Sequence, residues 1–222
     1  MLEAANGPDH LRALQALYAV AVRRQVAARQ VVIHEGDVPR SLYLIDRGAA
    51  TVSLSDWHGE EAVLSLLGPG DFFGEMGMFP SGDGVRSAQV QARVDSTLLE
   101  IDYARFVELS REHPVLWLEL AGQLAARLRR TNRRLVGVRV LKLSERIWYV
   151  LAELAARPDA QRVDGGHCVR ITRDELGMLT GCTRETAGKA LAELEQDGRI
   201  RTQGRSIIVP ELPAASGESG MR

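Results

Sequence analysis

The sequence predicts an α+β chain. A front domain of short antiparallel strands is followed by a long helix, and then by a back domain of helix, tight turn, helix and hairpin. Three observations predict this. Short β-rich runs follow one another between residues 30 and 101, each ended by glycine or aspartate, as an antiparallel barrel or sandwich requires. From Pro114 to about Val140 no proline interrupts the chain. Over that stretch Leu120, Leu124, Leu128, Thr131, Leu135 and Val138 recur at steps of four and three, the spacing of a coiled-coil seam. Behind it, Thr172-x-x-Glu175 opens one helix, Thr180-Gly181-Cys182 breaks it, and Thr183 opens another.

The bulk numbers narrow the classes. The 222 residues suffice for one large or two modest domains, and 45% hydrophobic with 26% charged residues is ordinary for a globular protein. No run of about 18 apolar residues exists, so no membrane span is expected. The N-terminus lacks a basic region followed by an apolar core, so no secretory signal is expected. Two cysteines, Cys168 and Cys182, are too few for a disulfide framework or a four-thiolate cluster, which points to the cytoplasm. The net charge of −1 conceals an asymmetry. Residues 1–122 hold 10 basic and 17 acidic side chains, a balance of −7, while residues 123–210 hold 17 and 10, a balance of +7. The back half is the candidate for a polyanionic partner.

In chain order, residues 9–29 read as a helix with Leu11, Leu14 and Leu17 on one side. Strands are expected at Val31–Ile33, Leu42–Ile45, Ala50–Leu54, Ala62–Leu67, Ala88–Val90 and Ser96–Ile101. Tyr103–Glu112 is a short helix. The long helix, about 27 residues at 1.5 Å each, makes a rod of roughly 40 Å whose narrow apolar seam between arginine flanks calls for a second copy. Leu143–Arg157 is an amphipathic helix, Pro158–Gly166 a turn-rich segment, and Cys168–Ile171 a strand. The expected domains are 1–113, 114–141 and 142–210, with a disordered tail over 211–222.

The most informative stretch of the front domain is GDFFGEMGMF (residues 70–79), followed by Arg86-Ser87-Ala88. Gly74 and Gly77 let backbone N–H groups approach an anion. Arg86 can fork onto phosphate oxygens and Ser87 can donate to them. Glu75 would repel a phosphate but suits a ribose hydroxyl. By residues alone, a glycine-rich barrel corner with an exposed arginine accounts for the stretch equally well. This segment resembles the phosphate-binding cassette of cyclic-nucleotide-binding β-roll domains, and IHEGDVPRSLYLIDRGAATVSL resembles their start. The resemblance implies a jelly-roll-like β-roll. In it Gly74 and Glu75 receive the phosphate and ribose, Arg86 and Ser87 clamp the phosphate, and Val52, Leu64 and Phe73 line the pocket.

The long helix takes a second task from the same resemblance. In the catabolite activator branch, a Thr-Ser pair on this helix reads the adenine amino group across the dimer. Thr131 matches the threonine and Asn132 stands in place of the serine. An amide both donates and accepts, so Asn132 leaves guanine open beside adenine.

In the back domain, helix, glycine turn and helix form a DNA-reading motif, with Ile200–Val209 turning at Gly204 as a wing. Arg184, Glu185, Gly188 and Lys189 are exposed early on the second helix, where arginine suits guanine, glutamate suits cytosine N4, and lysine suits guanine or phosphate. Thr183 at its cap, Arg173 at the start of the first helix, and Gln203 and Arg205 in the wing complete the candidate DNA contacts. GCTRETAGKAL resembles the recognition helix of CRP/FNR-type regulators, in which Arg-Glu-x-x-Gly-Arg reads a TGTGA-like half-site. Lys189 replaces the second arginine and loses its planar fork.

The expectation is therefore a cytoplasmic, homodimeric transcription regulator, not an enzyme. It binds a cyclic nucleotide, cAMP foremost with cGMP beside it, and a palindromic operator in double-stranded DNA. The resemblance also implies an RNA polymerase contact in the loop 158–166, with activator or repressor left open. Cyclic di-GMP is the alternative ligand within the same architecture. A haem or redox sensor is the alternative class, with His34, His58 and His113 too scattered to nominate a ligand. No metal site, cofactor or catalytic dyad is expected.

Overall fold

The computed structural model describes residues 7–55, 58, 61–79, 84–157, 160–204 and 206–211. It divides into two compact units, residues 1–132 and 133–222, with the division inside the long helix.

The first unit contains α1 (Pro8–Val20), β1 (Val22–Val26), β2 (Val31–Ile33), β3 (Ser41–Arg47), β4 (Ala50–Ser55) and β5 (Glu61–Leu67). These are followed by β6 (Phe72–Phe73), a 3-10 turn over Glu75–Met78, β7 (Gln89–Ala92), β8 (Ser96–Asp102), α2 (Tyr103–Glu112) and the start of α3 (Val115–Val140). The strands make two antiparallel four-stranded sheets, in the orders β1-β8-β3-β6 and β2-β7-β4-β5. Strand β3 explains the layering. Its residues Ser41 to Ile45 are all buried, because it is covered on both faces. Tyr43 and Ile45 pack with Ile33, Val90, Phe73 and Leu98 between the sheets. Leu42 and Leu44 pack with Leu17, Phe106, Leu116 and Leu120 under the helices. A strand sandwiched in this way reads as a continuous apolar run.

Three expectations need correction here. The helix expected over residues 9–29 stops at Val20, and Val22–Val26 forms β1 along β8. Only Val26 of that strand is buried, so it carries no strand pattern of its own and is decided by a partner about 75 residues away. The two-residue strand β6 was hidden inside the glycine-rich cassette. The seam of α3 serves two purposes: Leu120 is buried in the unit's own core and Leu124 packs against it, while Leu128, Leu135 and Val138 are exposed.

The second unit holds α4 (Leu143–Ala155), β9 (Gln161–Val163), β10 (Gly166–Arg170), α5 (Arg173–Thr180), α6 (Arg184–Gln196), β11 (Arg201–Gln203) and β12 (Ser206–Val209). The strands form one sheet in the order β11-β12-β10-β9. Strand β9 lies in the segment expected to be turn-rich. Ile147, Val150, Leu151, Leu176, Leu191, Leu194, Ile207 and Val209 are buried in this unit. Pro158, Asp159, Arg205 and the tail expected to be disordered, from residue 212 on, lie outside the described residues.

Candidate functional site

The cassette is built on β6 and the turn after it. Gly74 sits at φ +76°, a left-handed conformation that favours glycine, and a Cβ there would stand 2.8 Å from the Arg86 guanidinium. Arg86 reaches back across the loop and is 7% exposed. Its Nη1 donates to the Gly74 carbonyl at 2.7 Å and to the Tyr103 hydroxyl at 2.9 Å, and its Nη2 donates to the Ser41 carbonyl at 2.8 Å. The Arg86 backbone is fixed as well: its N–H donates to the Asp37 carbonyl at 2.8 Å and its carbonyl accepts from the Gly36 N–H at 2.9 Å. Among the described residues Arg86 makes no ion pair, so a buried cation is held by neutral acceptors alone.

Tyr103 completes this corner. Its hydroxyl donates to the Gly74 carbonyl at 2.5 Å. Burial pushes the hydroxyl's pKa above the ordinary 10.0; the Arg86 guanidinium opposes that rise and the Glu75 carboxylate adds to it. The group is therefore a donor at neutral pH.

Glu75 is 3% exposed. Its Oε1 pairs with Arg127 Nη1 of α3 at 3.2 Å, and Arg127 Nη2 donates to the Phe72 carbonyl. The carboxylate assigned to a ribose thus holds an arginine. Ser87 is exposed and lies 3.5 Å from the Met76 sulfur. Phe73 is buried and stacks on Tyr43 with ring centres 5.0 Å apart. Val52 is half-buried against the inter-sheet core and Leu64 is exposed on β5. Thr131 and Asn132 are exposed on α3. Gly74, Glu75 and Arg86 are thus brought together with Arg127 and Tyr103, which sequence reasoning missed. Arg127 stands one helical turn before Thr131 on the same stripe, and that spacing was the available signal.

The second unit builds a different surface. Thr172 caps α5 in a full capping box with Glu175, and Thr183 accepts from the Thr186 N–H to cap α6. Gly177 is where the helices approach each other: a Cβ there would stand 2.5 Å from the Cys182 carbonyl oxygen. On α6, Ala187, Ala190, Leu191 and Leu194 face the core, which leaves Arg184, Glu185 and Lys189 exposed. Arg184 lies 3.6 Å from Asp174 of α5. Gly188 lies against the exposed Arg173, whose Cδ would meet an added Cβ at an ordinary 3.5 Å. Gln203 is exposed at the end of β11. That strand is fastened to α6, because the Glu195 carboxylate accepts from the Thr202 N–H at 2.6 Å and from its hydroxyl at 2.8 Å. The backbone bond and then the hydroxyl bond hold the Glu195 pKa below the ordinary 4.5.

No group of three or more metal-ligating side chains occurs among the described residues. No described helix is long and apolar enough to cross a membrane.

Comparisons with known proteins match both units. The cyclic nucleotide-binding domain model matches residues 23–113, and the Crp-like helix-turn-helix domain model matches residues 145–214. The chain is 36% identical over 201 residues to the cAMP-activated global transcriptional regulator Vfr of Pseudomonas aeruginosa, covering 90% of this chain and 94% of Vfr. It is 37% identical over 182 residues to the cAMP-activated global transcriptional regulator CRP of Salmonella typhimurium, covering 82% and 86%. It is similar in structure to the c-di-GMP responsive global regulator CLP of Xanthomonas campestris. That similarity has a TM-score of 0.76 at 29% identity and covers 91% of this chain and 100% of that one. Two domain matches in this order, with relatives matched over most of both lengths, place the chain in the CRP/FNR family of transcription regulators.

Proposed function

We propose that this protein is a cytoplasmic, homodimeric, cAMP-responsive regulator that binds a palindromic operator in double-stranded DNA. One observation carries the ligand half: the buried Arg86, which among the described residues has only neutral hydrogen-bond partners, beside left-handed Gly74. A guanidinium stays charged, and burying it against neutral acceptors leaves a field that an anion relieves. A cyclic phosphate between Arg86, Ser87 and the backbone of the 3-10 turn supplies that anion. The Arg86-Ser87 pair and the likeness to two relatives named as cAMP-activated support a cyclic mononucleotide. The likeness to CLP keeps cyclic di-GMP as the second reading.

The exposed face of α3 supports pairing with a second copy. Leu128 is 62% exposed and Leu135 68%, too much apolar surface for a helix to leave in water. Pairing would bring Thr131 of one copy and Asn132 of the other to the same ligand. Arg184, Glu185 and Lys189 on α6 support base reading in successive major grooves, about 34 Å apart in a symmetric site. Ligand shifts activity only by favouring the DNA-competent arrangement. A contact with RNA polymerase through residues 158–166 belongs to the same reading.

The test is isothermal titration of the full chain with cAMP, cGMP and cyclic di-GMP, repeated on Arg86→Ala. Tight cAMP binding that Arg86→Ala weakens at least tenfold is expected, from the loss of charged hydrogen bonds. Binding of cyclic di-GMP alone selects the second reading. Equal binding by the wild type and the variant removes Arg86 from the site.

A further inference from the structure

Strand β6 is the edge of its sheet, paired with β3 on one side only. The Ile45 N–H donates to the Asp71 carbonyl at 3.1 Å, so in the alternating antiparallel ladder the backbone groups of the next residue, Phe72, point away from β3. They are buried, and buried backbone groups need partners. No strand supplies them. The Gln123 carbonyl oxygen accepts from the Phe72 N–H at 2.8 Å, and Arg127 donates to the Phe72 carbonyl. The Gln123 amide nitrogen donates to the Gly70 carbonyl at 2.8 Å and to the Glu119 carboxylate at 3.0 Å. Arg127 Nη2 lies 3.5 Å from the same Gln123 oxygen that holds Phe72. Two side chains one helical turn apart therefore act as a substitute strand along β6.

The consequence concerns the anion corner. Gly74 follows Phe72 by two residues, and Arg127, through its other nitrogen, reaches Glu75. We infer that Gln123 is a positioning residue for nucleotide binding: it aligns the cassette's entry strand and Arg127 as one body, so that the Glu75 carboxylate held by Arg127 and the turn at Gly74 meet the same nucleotide. Gln123 does not touch the ligand. This inference rests on the reading that the cassette binds a cyclic nucleotide. It assigns a role to a neutral residue that neither the glycine pattern nor the charge pattern of the cassette singles out.

The experiment is a double-mutant cycle on the full chain. Wild type, Gln123→Ala, Arg127→Ala and the double variant are titrated with cAMP, cGMP and cyclic di-GMP, and each is melted. Gln123→Ala is expected to weaken the bound nucleotide about tenfold. In the Arg127→Ala background the same substitution is expected to cost much less, because the residue it aligns is already gone. A merely structural glutamine lowers the melting temperature but gives independent, multiplying affinity losses, and that result overturns the inference. Gln123→Glu is a second variant: it keeps the acceptor for the Phe72 N–H, its carboxylate draws Arg127 away from Glu75, and its melt shows whether losing the donors to Gly70 and Glu119 leaves it folded. It is expected to fold and to bind about tenfold more weakly. Wild-type affinity in this variant also overturns the inference. A wild type that binds none of the three nucleotides overturns the ligand reading itself, and this inference with it.

Discussion

Arg184 forms its ion pair with Asp174 in full solvent, and exposed pairs contribute about 0–1 kcal/mol. Removing it should leave the fold intact and act on DNA. Arg184→Ala is expected to cost about 1–3 kcal/mol per base contact and to relax specificity at one position of each half-site. Lys189→Arg restores a planar fork and is expected to tighten binding to a TGTGA-type palindrome. Titration against operator variants checks both; equal weakening on specific and random DNA by Arg184→Ala would remove α6 from the major groove. Glu100 shows a different electrostatic balance. Burial opposes its ionisation, but hydrogen bonds from Ser41 and Tyr43, both 2.9 Å, and the Arg24 guanidinium outweigh burial and hold its pKa below the ordinary 4.5. A depressed carboxylate pKa gives stability that is present above the unfolded value and lost as pH falls through the folded one. Glu100→Gln should therefore melt below wild type at pH 7, with the gap closing toward pH 3. A gap that stays constant with pH would show that the charge contributes nothing.

At the scale of elements, the turn between α5 and α6 is a matter of distance. Alanine usually stabilises a helix interior over glycine by about 1 kcal/mol. At Gly177 the added methyl meets the Cys182 carbonyl, so Gly177→Ala is expected to destabilise the second unit by about 1–3 kcal/mol, as overpacking does. Thr172→Ala, which removes half a capping box, is expected to cost about 1 kcal/mol. Thermal melts of both variants check these values. Stabilisation by Gly177→Ala would show that the helices can part without loss.

For the whole molecule, the test is assembly. Leu135 is exposed within one chain, so Leu135→Glu should cost the folded chain little while blocking a paired α3. Sedimentation is expected to show a dimer for the wild type and a monomer for the variant. A variant that remains dimeric would place the interface elsewhere. The +7 balance of residues 123–210 adds a second expectation: DNA affinity should fall steeply with salt, with a slope near −0.9 per phosphate neutralised.

The sequence by itself determined the succession of strand-rich front, long helix and back domain, the capped helix pair and the hairpin wing. These features rest on local signals: turn glycines, capping threonines, and periods of two or of three and four. The grouping of Gly74, Glu75 and Arg86 came from the resemblance to the phosphate-binding cassette, not from a local signal. Tertiary structure alone decided that Val22–Val26 is a strand, because its reason is a distant partner. It also split the α3 seam, burying Leu120 in the unit's own core and leaving Leu135 in water, since an apolar period shows that a face is covered but not by what. The role of Arg127 left one signal in the sequence, its place a helical turn before Thr131, and that spacing does not say what the side chain meets. An arginine on a basic helix reads as a solvated flank until the fold brings Glu75 and the unpaired edge of β6 within its reach.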